Sequence, residues 1–455
     1  TGVIMKVSAI NFSNYDVSFL NNSERTVNKN RKRKYNAAKY FKEPAAYTSG
    51  AILAGIGTIY YIQRGRTTPF AKEVAASMSK AYHGKIPASS LSCLMSGDEL
   101  LKELPKLSKS NYECTPQNMA NGVFKVDLHS HSNYSDGEGY VKNILEDAAE
   151  YADELYKKTK QKFIFALTDH DTVEGLKEAL NIISYNPSRY KNLRFVPGIE
   201  VSFAHSAPKS NNECEMSELL VYGVNPYSEN ITKFLKNIKQ KRIDMINNFI
   251  ADAKKIYPLT NFSFDEFSNC YDFKKYGNLM NIHWRVFHYT QTKHAVTCAN
   301  SKFHSDINSQ YKNIMQDFKG ASVDTLKQNG KIPHNINDFH ALDKLLKKYA
   351  PHFENGKLIA SSENTFEEVI DAFKDEKNVF MAFAHPGYFS NHVTNPSESL
   401  KYFTQNSQGL IKASESYHQA YRNMDKNIIE TLQKQTESLN LLNLGGRDNH
   451  GKKLF

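Results

Sequence analysis

The sequence predicts an α/β fold in which strands and helices alternate, and three observations predict it. Short apolar runs of strand length recur, at Phe163 to Leu167, Arg194 to Val196, Val379 to Ala384 and Leu441 to Leu444. Each leads to a His, Asp or Glu beside glycine or another turn residue. The stretches between them carry apolar residues at helical spacing. This alternation favours a barrel over an all-α or sandwich fold. In α/β barrels and open α/β sheets the functional site forms where the carboxyl ends of parallel strands meet.

A length of 455 residues, 40% of them hydrophobic, allows two or three domains and a sizeable core. The net charge of +10 is unevenly placed, since residues 1 to 120 hold 17 Lys and Arg against 8 Asp and Glu. Residues 1–120 are therefore read as a basic N-terminal region of unknown fold, and 121–455 as the domain that carries the strand-end His, Asp and Glu motifs. The densest basic run, Arg31-Lys32-Arg33-Lys34, suits contact with nucleic acid or anionic lipid, although a solvated linker has the same composition. Ala45 to Ile62 is an uncharged stretch just about long enough to span a bilayer. Its three glycines favour a buried or partner-facing helix. Residues 1 to 20 lack the pattern of a secretory signal. Cys93, Cys114, Cys214, Cys270 and Cys298 are odd in number and widely spaced, which argues against a disulfide framework and for a reducing, cytoplasmic compartment.

The elements follow in order. Val123 to Leu128 reads as a strand, and alternation along it sends His129 and His131 off its end on the same side. Two imidazoles converging on one point form a metal clamp. Val141 to Lys158 has a helical apolar stripe. Phe163 to Leu167 ends in Thr168-Asp169-His170-Asp171. Asp171-Thr172 reads as the cap of a helix from Val173 to Ile183. Arg194 to Val196 leads into Pro197-Gly198-Ile199-Glu200. Ile231 to Ile256 reads as a long basic amphipathic helix. The stretch 290–362, with His294, His304, His334, His340 and His352, fits the alternation poorly and reads as an inserted cap or lid. Thr365 to Phe373 is a helix before the strand that ends in His385-Pro386-Gly387. Leu441 to Leu444 ends in Gly445-Gly446-Arg447-Asp448-Asn449-His450.

With those motifs the chain resembles the PHP family (polymerase and histidinol phosphatase domain), and within it the branch of nucleotide and RNA 5′-end phosphoesterases. The resemblance runs from about Val123 to His450 and rests on DLHSH-x4-DG, LTDHDTVEGL, PGIEVS, AHPG and G-x-DNHG. It implies a distorted (β/α)7 TIM-like barrel holding two or three divalent ions, Mn, Fe or Zn. It also implies the ligand sets. His129, His131, Glu200 and Asp448 would hold the first ion. Glu200, His385 and a central histidine, best matched by His283, would hold the second. Asp136, His170 and His450 would hold the third. Imidazole and carboxylate without thiolate suit those metals.

The chemistry this implies is hydrolysis of a phosphate ester, a phosphomonoester or a nucleotide-like one. Paired divalent ions lower the pKa of a shared water and neutralise charge building on a phosphoryl group. Glu200, Asp448 and His418 are the catalytic candidates, with His418 a phosphate contact or a leaving-group acid, and Arg422 a similar candidate. The chain departs from its relatives in the substrate clamp. Tyr388 stands where arginine often follows His-Pro-Gly. Arg285 lies two residues past His283 where relatives place arginine three past, a difference in direction of about 100° on a helix. Leu219-Leu220-Val221-Tyr222 lacks the histidine many relatives carry there. Three rivals remain open at this point: a scaffold or binding protein with a vestigial metal site, a histidinol-phosphate-type phosphatase, and metal-dependent amide hydrolysis.

Overall fold

The computed structural model describes residues 67–206, 214–273, 277–303, 323–332, 334, 338–359, 362–387, 396–423 and 426–455. Arg31 to Lys34, Ala45 to Ile62, His304, Tyr388 and the side chain of Arg422 lie outside the described part. Gly65–Phe455 forms one compact unit. Among the described residues no helix is long and apolar enough to cross a membrane.

Seven strands form one sheet: β1 (Val126–Asp127), β2 (Phe163–Leu167), β3 (Leu193–Ser206), β4 (Cys214–Tyr222), β7 (Phe380–Phe383), β8 (Ile411–Glu415) and β9 (Leu442–Leu444), in that spatial order. Strands β5 (His352–Glu354) and β6 (Lys357–Ile359) pair separately. β1, β2 and β3 are parallel, as are β7, β8 and β9. β4 runs antiparallel to both its neighbours. A bridge between Ser130 and Asn449, just beyond β1 and β9, brings the two edges together. The curled sheet agrees with the expected TIM-like architecture, except that β4 breaks the all-parallel pattern.

Alternation along the strands sorts the barrel's side chains into an outer and an inner cluster. Phe163, Phe165, Leu167, Leu193 and Phe195 pack outward against the helices Val141–Thr159 and Glu174–Tyr185. Ile164, Ala166, Val196, Leu220, Ala382 and Ala413 form the inner cluster. Its many alanines reflect the limited room inside a small barrel. Met95, Leu100, Leu104 and Tyr112 join that inner cluster, and Phe70, Val74 and Met78 of the helix Pro69–Ala81 join the outer one. The described part of the basic N-terminal region is thus a plug and a flank of the barrel.

Three expected elements differ in detail. The first strand shrinks to Val126–Asp127, because Lys125 N turns to Asn111 O. The helix after the second strand spans Glu174–Tyr185 and takes Thr172 Oγ1, not Asp171, as acceptor for its Glu174 N. Asp171 is drawn instead to Arg242. The helix Glu229–Ile256 starts in the barrel core at Ile231 and ends in a second core that holds Met245, Ile246, Phe249 and Ala253. Phe262, Tyr289, Leu326 and Leu342 complete that second core. The helical body therefore begins well before residue 290.

Candidate metal centre

Seven of the nine sequence-predicted ligands converge in two adjoining groups. His129, His131, Glu200 and Asp448 form one, and His131, Asp136, His170 and His450 the other, with donor atoms within 4.8 Å of one another in each. Their placement follows from the strand ends. β1 delivers His129 and His131, and the loop beyond bends under Asp169. That carboxylate accepts Ser132 N at 2.6 Å, Ser132 Oγ at 2.7 Å and Ser135 Oγ at 2.9 Å. A Cβ at Gly175 would lie 2.2 Å from Asp169 Oδ2, so only glycine fits there. A Cβ at Gly446 would lie 2.3 Å from that of His129, and one at Gly445 would lie 2.4 Å from Tyr417 O, which together explain the double glycine. Asp448 sits at φ +52°. Its neighbour Arg447 donates its Nε to Asp127 Oδ2 at 2.8 Å and its backbone N to Asp127 Oδ1 at 3.1 Å.

Glu200 is the hub. The expected strand end proves to be mid-strand, since β3 continues to Ser206. Glu200 Oε2 lies 3.0 Å from His129 Nε2, 3.2 Å from His131 Nε2 and 3.3 Å from His170 Nδ1, and Oε1 lies 3.3 Å from His385 Nε2. Asp448 Oδ1 lies 3.4 Å from His129 Nε2 and 3.1 Å from His131 Nε2. Bonds of about 2.0–2.2 Å to one ion would put neighbouring donors roughly 3.0–3.5 Å apart, and these separations match.

Two carboxylates that the sequence reading missed complete the site. Glu218, in the reversed strand β4, reaches His170 Nδ1 and His385 Nε2, each at 3.5 Å. It forms a further donor group with His170 and Glu200. Glu415, at the end of β8, accepts His129 Nδ1 at 3.1 Å and the His385 backbone N at 2.9 Å. Glu415 follows Ile411-Lys412-Ala413-Ser414, a run too short and too polar to mark it in the sequence. No spacing marked Glu218, which lies four residues before the end of β4. His283 is not drawn into these groups. It is buried on the helix Ile282–Phe303 with its Nδ1 unpaired. Glu218 stands beside His385 and Glu200 where His283 was expected.

The donor set fits divalent ions on this structure's own evidence. His129 Nδ1 lies 3.1 Å from Glu415, a contact that would orient the ring for an ion at Nε2, which faces Glu200 and Asp448. His131 Nε2 and Glu200 Oε1 are enclosed and make no hydrogen bond. Burial pushes the Glu200 carboxyl up, but His129 and His170 outweigh it and hold it well below the ordinary range. Burial opposes a charged His385, yet Glu200 and Glu218 raise it to about 9. Protons thus balance charge that cations would balance.

His418 is buried beside His129 and Glu415 and has a defined tautomer. Its Nδ1 accepts the Ala420 backbone N–H at 3.2 Å, so a neutral ring carries its proton on Nε2. Burial pushes its pKa down to about 4, and Nε2 faces Asp448 Oδ2 at 3.9 Å. Arg285 lies over the Tyr271 ring, 4.9 Å from its centroid.

No family profile matches the chain, and no curated protein matches it. Several solved structures resemble it weakly, two of them as follows. A Bifidobacterium adolescentis protein described as a metal-dependent phosphoesterase is 16% identical, with a TM-score of 0.40. An amidohydrolase from Chromobacterium violaceum, with bound sulfate and no metal, is 18% identical, with a TM-score of 0.39. Each match covers 72% of this chain and 88% of the other. Likeness this slight leaves function to be argued from this chain's own residues.

Proposed function

We propose that this chain is a metal-dependent phosphoesterase of the PHP type, acting on a phosphomonoester or nucleotide-like ester with two or three divalent ions at the Glu200 hub. The observation that carries the reading is the sharing of donors between groups. His131 is common to the two four-membered groups, and Glu200 links the first to the group with His170 and Glu218. When bound, closely spaced ions would activate water at neutral pH and offset charge on a phosphoryl group.

The chain's own residues do the rest. Glu200 offers one oxygen to three imidazoles and the other to His385, so it can span neighbouring ions. Glu415 fixes the ring of His129, and Asp127, through Arg447, fixes the backbone that carries Asp448. His418 offers an Nε2–H to a substrate oxygen beside Asp448, and this donor substitutes in part for the arginines that the sequence lacks. Its proton suits either a phosphoryl oxygen or the leaving oxygen.

The test is turnover by metal-reconstituted protein on a panel of phosphorylated metabolites, histidinol phosphate, short 5′-phosphorylated oligonucleotides and amides. Phosphate release is the expected outcome. Amide hydrolysis alone would replace the reading, and stoichiometric metal binding with no turnover would favour a scaffold. For the basic leading region we propose salt-sensitive contact with nucleic acid or anionic lipid, which removal of residues 1–64 should weaken.

A further inference from the structure

Arg242 lies on the helix Glu229–Ile256 between the two cores, and it is fully buried. Its Nη2 donates to Asp171 Oδ2 and to Glu363 Oε2, both at 2.9 Å. Its Nε donates to Ser362 O at 3.3 Å, and its Nη1 donates to Asn278 O. Two of these contacts lead to the metal centre. Asp171 directly follows His170 and is itself fastened, with its N donating to Glu200 O at 2.9 Å and its Oδ1 accepting Ser202 N at 3.3 Å. Asn278 Nδ2 donates to Tyr134 O at 3.4 Å, and Tyr134 lies between His131 and Asp136.

Both relays reach the group formed by His131, Asp136, His170 and His450, and the Asp171 backbone also holds Glu200 of the neighbouring group. The remaining members of that neighbouring group are fastened elsewhere, His129 by Glu415 and Asp448 by way of Asp127 and Arg447. We propose that Arg242 is a positioning residue that sets the affinity of the His131–Asp136–His170–His450 group for its divalent ion and ties the helical body to that group. The proposal rests on the metal-binding reading above. Its physical basis is that a buried carboxylate keeps its place only while its cation does. Without the guanidinium, Asp171 Oδ2 and Glu363 Oε2 are two buried acids with no cation between them, and any shift of the Asp171 backbone carries His170 with it.

The test titrates metal-depleted full-length protein with Mn(II) by calorimetry and locates the ions by anomalous scattering from Mn(II)-soaked crystals. Arg242→Gln should weaken binding about 10- to 100-fold, the usual cost of losing a group that orients a ligand. The anomalous signal should fall at Asp136, His170 and His450 and persist at His129, Glu200 and Asp448. Arg242→Lys, which keeps the charge but not the fork, should restore part of the affinity. Asn278→Ala, which cuts only the Tyr134 relay, should give a smaller loss at the same group. Equal loss at both groups, or no loss, would overturn the proposal. If Arg242→Gln does not fold, unchanged affinity in a folded Asn278→Ala variant overturns it instead. Wild-type protein that binds no ion would sink the metal reading itself, a distinct failure.

Discussion

Glu200 and Glu218 lie on adjacent antiparallel strands, two positions out of register, and both reach the same two imidazoles. Glu200 pairs with Leu220, and Glu218 with Ser202. His170 is 3.3 Å from Glu200 and 3.5 Å from Glu218, and His385 is again 3.3 Å and 3.5 Å away from the two. Such diagonal neighbours interact across a ladder, and two buried carboxylates repel unless a cation serves both. Burial, with the charge of Glu200 behind it, pushes the Glu218 carboxyl well above its usual range.

Glu218→Gln separates two effects. It should lower metal affinity about 10-fold or more. It should also raise the melting temperature of the metal-free protein, since a repelled buried acid is gone. Calorimetric titration and thermal melts with and without metal check both signs. A variant that binds metal as the wild type does would remove Glu218 from the site.

Asp448→Asn and His131→Ala should each cost about 10²-fold or more in turnover, the scale of losing one charge-stabilising group. Circular dichroism should show the fold retained. Unchanged turnover at matched metal occupancy would count against the assignment of either residue.

Metal binding near pH 7.5 should release protons. Ligand imidazoles must be neutral to bind, and His385 is raised to about 9 in the metal-free protein. The stability sign follows. A raised imidazole stabilises the metal-free fold fully below its ordinary value of 6.5, and that contribution is lost as pH rises through about 9. Calorimetry in buffers of different ionisation enthalpy measures the release directly, and binding heats independent of buffer would refute it.

The basic N-terminal region should not be separable at residue 120. Leu100 and Leu104 are buried in the inner barrel cluster. Leu100→Ala should cost about 2–5 kcal/mol, and a chain starting at Gln117 should lose its cooperative melt. A chain starting at Gly65, where the compact unit begins, should keep it. Equal melts for the two truncations would contradict the plug.

The convergence of these side chains was largely legible because the candidate donors follow strand ends in local motifs. His129 and His131 needed only alternation along one strand, and Asp448 only a glycine-flanked acid after another. What stayed hidden depends on tertiary contacts. Glu218 faces the hub because β4 runs backwards, and strand direction is not written in Glu-Leu-Leu-Val-Tyr. Asp171 looked like a helix cap because nothing local shows that Arg242, 71 residues on, takes its carboxylate. The plug was read as a separate region because its charge is visible in composition and its leucines are not distinctive.

The central claim is that Glu200 anchors a cluster of divalent ions. Anomalous diffraction from crystals of the full-length protein grown with Mn(II), Fe(II) or Zn(II) tests it most directly. The account predicts two or three peaks, at least one of them between Glu200, Asp448, His129 and His131. A single ion held elsewhere, or no peak within bonding distance of Glu200, would contradict it.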